Sequence, residues 1–414
     1  MGGCGDHAPA GAGAGDRSTQ ANPGVEVGRS PFGCGTSTPG PLEVIGSGRD
    51  SAAADNLSSA GTAADPAEKA ASGADAPASG LHLARLRRRV AAPLGSERAR
   101  ASGAGSGRFY DFGSMFAAIR PVVSAADLAL CHLETSLSPS SRGLSGYPHF
   151  NAPPQLASAV RAAGYDACSV ASNHSLDQGP AGMAGTLQVL DKAGLRHAGM
   201  ARSPREARPT ILSVRGVRVA LLSYTDGLNG FRLPRGRPRL VSLLSPRRIL
   251  ADTRAARRAG SQFTVLFLHR GQEYRSAPTP AQRTLAHKLL ADPSVDLILG
   301  HHAHVVQPVQ RIHGKWVAFG MGNSLSAQSA ACCPAATQDG VLLKVTVVRK
   351  AGHYVVERIR YTPTWVEHPS YRIHPALETL ASGSASPATR AMLRASLKRT
   401  TTAIGRTAGL ASHQ

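Results

Sequence analysis

Residues 295–323 read VDLILGHHAHVVQPVQRIHGKWVAFGMGN. A short apolar run, Val295, Leu297, Ile298 and Leu299, stops at Gly300 and is followed at once by His301, His302 and His304. That is the profile of a buried strand, with polar groups at its carboxyl end, where α/β sheets bind their ligands. His302 and His304 lie two apart, so in an extended segment both point to one side and can grip one ion.

Three other runs end in the same way. Residues 263–268 (FTVLFL) stop at His269, residues 166–172 (DACSVAS) at Asn173 and His174, and residues 126–133 (ADLALCHL) at Glu134. Four strand-like runs that each deliver a metal-competent side chain predict one shared site rather than scattered solvated loops. Imidazole, carboxylate and amide oxygen form a hard-to-borderline ligand set, which suits Mn, Fe or Zn and differs from a thiolate site.

Around these runs the chain alternates strand, loop and helix. Phe112, Met115, Phe116, Ile119 and Val122 fall at helical spacing and predict a helix ahead of the first strand. Pro153 and Pro154 open a second helix that Gly164 closes, and residues 182–193 form a third. Residues 210–225 read as a hairpin turning at Arg215-Gly216, and residues 309–319 and 340–361 as two more. Helices over 246–259 and 280–290 fall between strands. This order is the grammar of an α/β fold.

Of the 414 residues, 47 are Lys or Arg and 26 Asp or Glu, a net charge of +21. Two dense arginine runs, Arg85, Arg87, Arg88, Arg89 and Arg232, Arg235, Arg237, Arg239, lack the interleaved aromatics on which bases stack, which argues against nucleic acid. The charge fits an anionic substrate or polymer instead. Residues 1–107 contain one aromatic, Phe32, among Ala, Gly, Ser and Pro, and are expected to be disordered. The folded domain is expected over 108–371, with a polar basic tail over 372–414. The six cysteines show no CxxC spacing; Cys131 and Cys168 read as small core residues, while adjacent Cys332 and Cys333 fit a redox-active or an inert loop equally. The chain shows neither an apolar signal core at its start nor a membrane-length apolar run, so it carries no visible address.

The segments HLET (132–135), GYDACSVASNHSLDQG (164–179), LHRGQEY (268–274), DLILGHHAHVVQ (296–307) and FGMGNSLS (319–326) resemble, in order and spacing, the CapA-type capsule or poly-γ-glutamate synthesis proteins, which are similar to calcineurin-like metallophosphatases. The resemblance covers residues 108–363. It implies a four-layer α/β/β/α sandwich with a divalent, often dinuclear, metal centre. It places Glu134, Asn173, His269, His302 and His304 as metal ligands. It makes His174 the general acid, Asp177 its orienting carboxylate, and Glu273 a ligand, a base or an arginine's partner. Asn323 contacts the site or its substrate by backbone or amide, His301 faces solvent or substrate rather than the ion, and His132 is a core or supporting group. One departure stands out: the family's opening strand ending in Gly-Asp is missing upstream of Tyr110, and residues 42–50 (LEVIGSGRD) are only a faint substitute. The sandwich is therefore expected without its first Gly-Asp strand, and one metal position one ligand short. The implied function is a metal-dependent hydrolase or transferase acting on an anionic envelope polymer or its intermediate, in the company of a polymer synthase at the cell envelope or outside it. The rival is a non-catalytic polymer- or partner-binding protein with a degraded metal site.

Overall fold

A computed structural model describes residues 42–44, 110–407 and 409–412. Strands β2 (Leu130–His132), β3 (Ala167–Ser169) and β4 (Arg196–Ala198) form a parallel sheet in that order. Helices α1 (Gly113–Phe116), α2 (Arg120–Ser124), α3 (Gln155–Ala162) and α4 (Gly179–Lys192) accompany it. Phe112, Met115, Ile119, Leu156, Met183 and Leu187 from this helical layer pack with Cys168 and Val170 of the sheet. The single helix expected over 112–122 is thus two short ones.

A second, six-stranded sheet runs β5-β6-β7-β8-β10-β9. It comprises β5 (Thr210–Val214), β6 (Val217–Thr225), β7 (Phe263–His269), β8 (Leu297–His301), β9 (Val309–Ile312) and β10 (Lys315–Ala318). Its centre is parallel, and its two edges are the antiparallel hairpins turning at Arg215-Gly216 and His313-Gly314. Along β6 the pleat sends Val217, Val219 and Leu221 to one face and Ala220, Leu222 and Tyr224 to the other. The latter face meets Ile249 of α5 (Pro246–Arg258) and Leu285 and Leu289 of α6 (Pro280–Leu290). A reciprocal cap between Thr279 and Gln282, with Pro280 in the first turn, starts α6.

The former face meets a long hairpin, β11 (Asp339–Lys350) and β12 (His353–Val366). Leu343, Val345 and Val347 of β11 enter this inter-sheet core with Leu130 and Ala167, while Leu342 turns to the first helical layer. The hairpin therefore lies in the same layer as β2–β4, and the sandwich has four layers, α/β/β/α.

Two corrections follow. The segment expected as a tail is folded over its described residues, 372–407 and 409–412: β13 (Ile373–Pro375) pairs with β12, α7 (Ala376–Ala381) follows it, Leu393 of α8 (Pro387–Ile404) packs on Trp365, and β14 (Leu410–Ser412) also pairs with β12. Periodic Leu393, Ser396, Thr400 and Ile404 bury one face of α8 despite its polar composition. Nor are Cys131 and Cys168 free: the β2–β3 register sets them opposite each other at a Cα separation of 4.4 Å, and they form a disulfide. Leu42–Val44 forms a strand, β1, paired antiparallel with β11, so the faint run does take a sheet position. The following residues, Asp50 included, lie outside the described set, as does the rest of 1–107. Among the described residues no helix is long and apolar enough to cross a membrane.

The sheet approaches itself closely where it delivers the histidines. A Cβ at Gly300 would sit 2.0 Å from the backbone oxygen of Phe319. Gly300→Ala must therefore push β8 from the segment after β10. It is expected to lower unfolding free energy by about 3 kcal/mol, read by urea titration; an unchanged midpoint would show that this contact does not constrain β8.

Candidate metal centre

His269 ends β7, and its buried imidazole is the hub of the site. Around Nε2 lie Asn173 Oδ1 at 2.9 Å, His302 Nδ1 at 3.1 Å and Glu134 Oε1 at 3.3 Å. On the other side Nδ1 meets His132 Nε2 at 3.0 Å, and His132 Nδ1 meets Ser169 Oγ at 2.7 Å. A neutral imidazole has one N–H, so these contacts cannot all be hydrogen bonds from His269. The surplus of lone pairs suits a cation.

The electrostatics agree. Burial alone pushes the Glu134 carboxyl up, but the imidazoles of His269 and His304 outweigh it and hold it well below the usual carboxylate range. Burial, then the neighbouring His301 and His269 rings, hold His132 well below its ordinary value; burial and His269 lower His302 too. Neutral imidazoles beside a charged carboxylate are the protonation states a metal requires. Glu134 Oε1, buried, has no hydrogen-bond partner. His132, Glu134 and His269 each place a ligand atom within 4.8 Å of the others. These residues fit a divalent ion.

Other residues orient this set. Asn173 Nδ2 donates to Asn229 Oδ1 at 3.0 Å, which turns the amide oxygen toward His269. His174 Nδ1 lies 2.7 Å from Asp177 Oδ2, which also accepts from the Phe150 N–H. Asn323 Oδ1 lies 3.0 Å from His304 Nδ1, leaving His304 Nε2 3.7 Å from Glu134. Asn323 Nδ2 donates to Gln328 Oε1 and to the Thr337 oxygen. Asn323 thus holds His304. A Cβ at Gly340 would sit 2.0 Å from the Asn323 oxygen, so only glycine fits behind it.

Three placements differ from expectation. His302 and His304 do not share an extended strand: both have positive φ, 87° and 57°, in a bend after β8. The bend, rather than the pleat, brings their rings to 6.4 Å. His301 does not face solvent; its ring stacks on His132 at 4.1 Å and on Phe267 at 6.0 Å, with Nε2 buried and unpartnered. Glu273 lines the cavity from an exposed position and acts on His302 through its charge. His132 was undervalued: it is two residues from Glu134, and the alternation applied to His302 and His304 would have put both on one face. Asn229, in an irregular loop, carried no such signal.

The centre opens on a cavity of about 900 Å³, with Tyr147, Phe150, Tyr274 and Leu325 among its walls. The profile of the bacterial capsule synthesis protein family PGA_cap matches residues 48–328, which include every residue of this centre. The chain belongs to this family. It is 29% identical over 180 residues to the capsule biosynthesis protein CapA of Bacillus anthracis, covering 42% of this chain and 43% of that protein. It is 26% identical over 215 residues to the PGA biosynthesis protein CapA of Bacillus subtilis (strain 168), covering 51% and 56%. The chain thus spans about half the length of these relatives. Among solved structures it is similar to a putative 5'-nucleotidase from Staphylococcus aureus, at 12% identity over 66% of this chain and 49% of that one, with a TM-score of 0.41.

Burial, then the His269 imidazole, holds His301 down to about 3. Unfolded, this ring titrates near 6.5, so below that pH the unfolded chain takes up a proton that the folded chain refuses. The stability present above about pH 6.5 is lost as pH falls toward about 3. His301→Leu should flatten that loss by up to one proton, about 1.4 kcal/mol per pH unit, in urea titrations of metal-free protein. An identical slope in the variant would mean that His301 is not held neutral.

Proposed function

We propose that this chain is a metal-dependent hydrolase or transferase acting on an anionic envelope polymer such as poly-γ-glutamate, or on its intermediate. The observation that carries this reading is the convergence of Glu134, Asn173 and His302 on His269, beside a second group, His174 and Asp177, with proton-transfer geometry. Glu134, Asn173, His269 and His302 would hold the ion, with His304 beside Glu134 and His132 behind His269 at Nδ1; the donor set suits Mn, Fe or Zn. An ion held there would supply Lewis acidity and would lower the pKa of a water toward neutrality.

The chain's own groups do the rest. Asn229 fixes the amide of Asn173, so its oxygen stays aimed at the centre. Asp177 accepts from Nδ1–H of His174, which leaves Nε2 to hold a proton and pass it to a leaving group. Phe150 packs on the His174 ring at 4.4 Å and excludes water there. The loop that carries Asn229 continues into Phe231, whose ring lies 5.5 Å from that of His149 at the cavity wall, and then into exposed Arg232 and Arg235. An aromatic followed by exposed guanidinium groups suits a polycarboxylate, whose charges they meet in water. The names of the Bacillus relatives point to the same polymer class.

Metal content by mass spectrometry after incubation with Mn, Fe or Zn, with turnover on poly-γ-glutamate oligomers and a phosphoester panel, tests the reading. His269→Ala should lose the ion and turnover while keeping its circular dichroism. Asp177→Asn should keep the ion and lose roughly 10- to 100-fold in kcat. Full turnover by a metal-free His269→Ala protein would sink the metal mechanism. Tight polymer binding without turnover on any substrate would replace it with the binding-only function.

A further inference from the structure

Cys332 and Cys333 lie just past residue 328, where the family match ends. Both are half-buried and both line the cavity of the metal centre. Their backbone N–H groups donate to the same carbonyl, that of Ser329, a tight turn that brings the Sγ atoms to 2.6 Å. A disulfide needs about 2.05 Å, so little movement separates the two states. The chain already holds one disulfide, Cys131–Cys168, and such bonds persist in oxidising surroundings.

The turn is tied to the centre. Gln328, four residues before Cys332, receives Asn323 Nδ2 on Oε1 and places Nε2 3.4 Å from Tyr274 Oη. Asn323 in turn fixes His304. We propose that Cys332 and Cys333 are a reversible dithiol–disulfide site whose closure pulls on Gln328 and Asn323 and loosens the hold on the ion. The coupling to the ion rests on the metal reading above; the thiol chemistry does not.

A low-molecular-weight disulfide is the oxidant. The Cys332 thiolate attacks one of its sulfurs, forming a mixed disulfide and expelling a thiolate. That thiolate takes the Cys333 proton, Cys333 attacks the Cys332 sulfur, and a second thiolate leaves. Two protein thiols are thereby oxidised by two electrons and one disulfide is reduced to two thiols. Burial and the neighbouring Cys332 push the Cys333 thiol up to about 12, which makes it a poor first nucleophile. A bond between adjacent residues is strained by its own ring, and strained disulfides are the readily reduced ones.

Trypsin isolates the pair, since residues 316–344 contain no other cysteine and no internal Lys or Arg. The full chain, equilibrated in glutathione buffers from fully reduced to fully oxidised and then alkylated, should yield this peptide unalkylated and about 2 Da lighter at the oxidised end. Zinc affinity, measured by competition with a chromogenic chelator, should fall about tenfold in that form. The Cys332→Ser/Cys333→Ser double variant should bind zinc as the reduced protein does, without redox response. A peptide that stays a dithiol in oxidised glutathione alone overturns the site. The mass loss with unchanged zinc affinity overturns the coupling. Reduced protein that binds no zinc overturns the metal reading, while the peptide mass still decides the thiol step.

Discussion

The centre depends on burying several imidazoles around one carboxylate without protonating them. Were His132, His269 and His302 all charged, their repulsion in a site of low dielectric would drive the bend after β8 away from β7. Burial keeps His132 and His302 below their ordinary values, while His269 and His304 beside Glu134 outweigh its burial and hold its carboxyl low. The outcome is a nest of lone pairs with too few protons to share. Such an arrangement persists only where the surrounding structure over-determines it, and here four strand ends, those of β2, β3, β7 and β8, do so.

That over-determination shows in the backbone. Asn229, Tyr274, His302 and His304 all have positive φ, and all line the cavity. For residues with a Cβ each such conformation costs about 1–3 kcal/mol, so it persists only where neighbouring packing holds it. Behind His302 the brace is the Gly300–Phe319 contact, and behind Asn323 it is Gly340. The sandwich core supplies the rigidity: Leu343, Val345, Phe267 and Leu299 lock the inter-sheet space from opposite sides.

Much of this was legible in the sequence. The four strand-like runs, their order and three hairpins were visible because period-two alternation and glycine turns are local signals. Their convergence at the carboxyl ends was legible too, since parallel strands in one sheet present their ends together. What local pattern cannot carry was lost. The His302–His304 geometry comes from left-handed backbone that alternation does not encode. The Cys131–Cys168 bond depends on the β2–β3 register, and the fold of 372–414 on docking against β12, which rescues a polar segment that looks solvated by composition. His132 obeys the same alternation, two residues from Glu134, and reaches His269 from the end of β2.

The centre is also a seam. Glu134 and Asn173 arrive from the β2–β4 layer, while His269 and His302 come from β7 and the end of β8 in the six-stranded sheet. Asn323, which steadies His304, is backed by the first residues of β11. An ion held by these groups would tie layers that also meet through apolar packing and a few hydrogen bonds, such as Ala171 N–H to Ser223 Oγ. Binding to the native state and not to the unfolded chain adds stability that grows with the logarithm of ion concentration over Kd. Occupancy and folding would then be coupled. His304, beside Glu134, is held by the Asn323 amide, which in turn is held by the Thr337 oxygen and by Gln328 in the loop leading to the cysteine pair. The six-stranded sheet makes the site rigid, whereas the loop after Asn323 is where it can be adjusted.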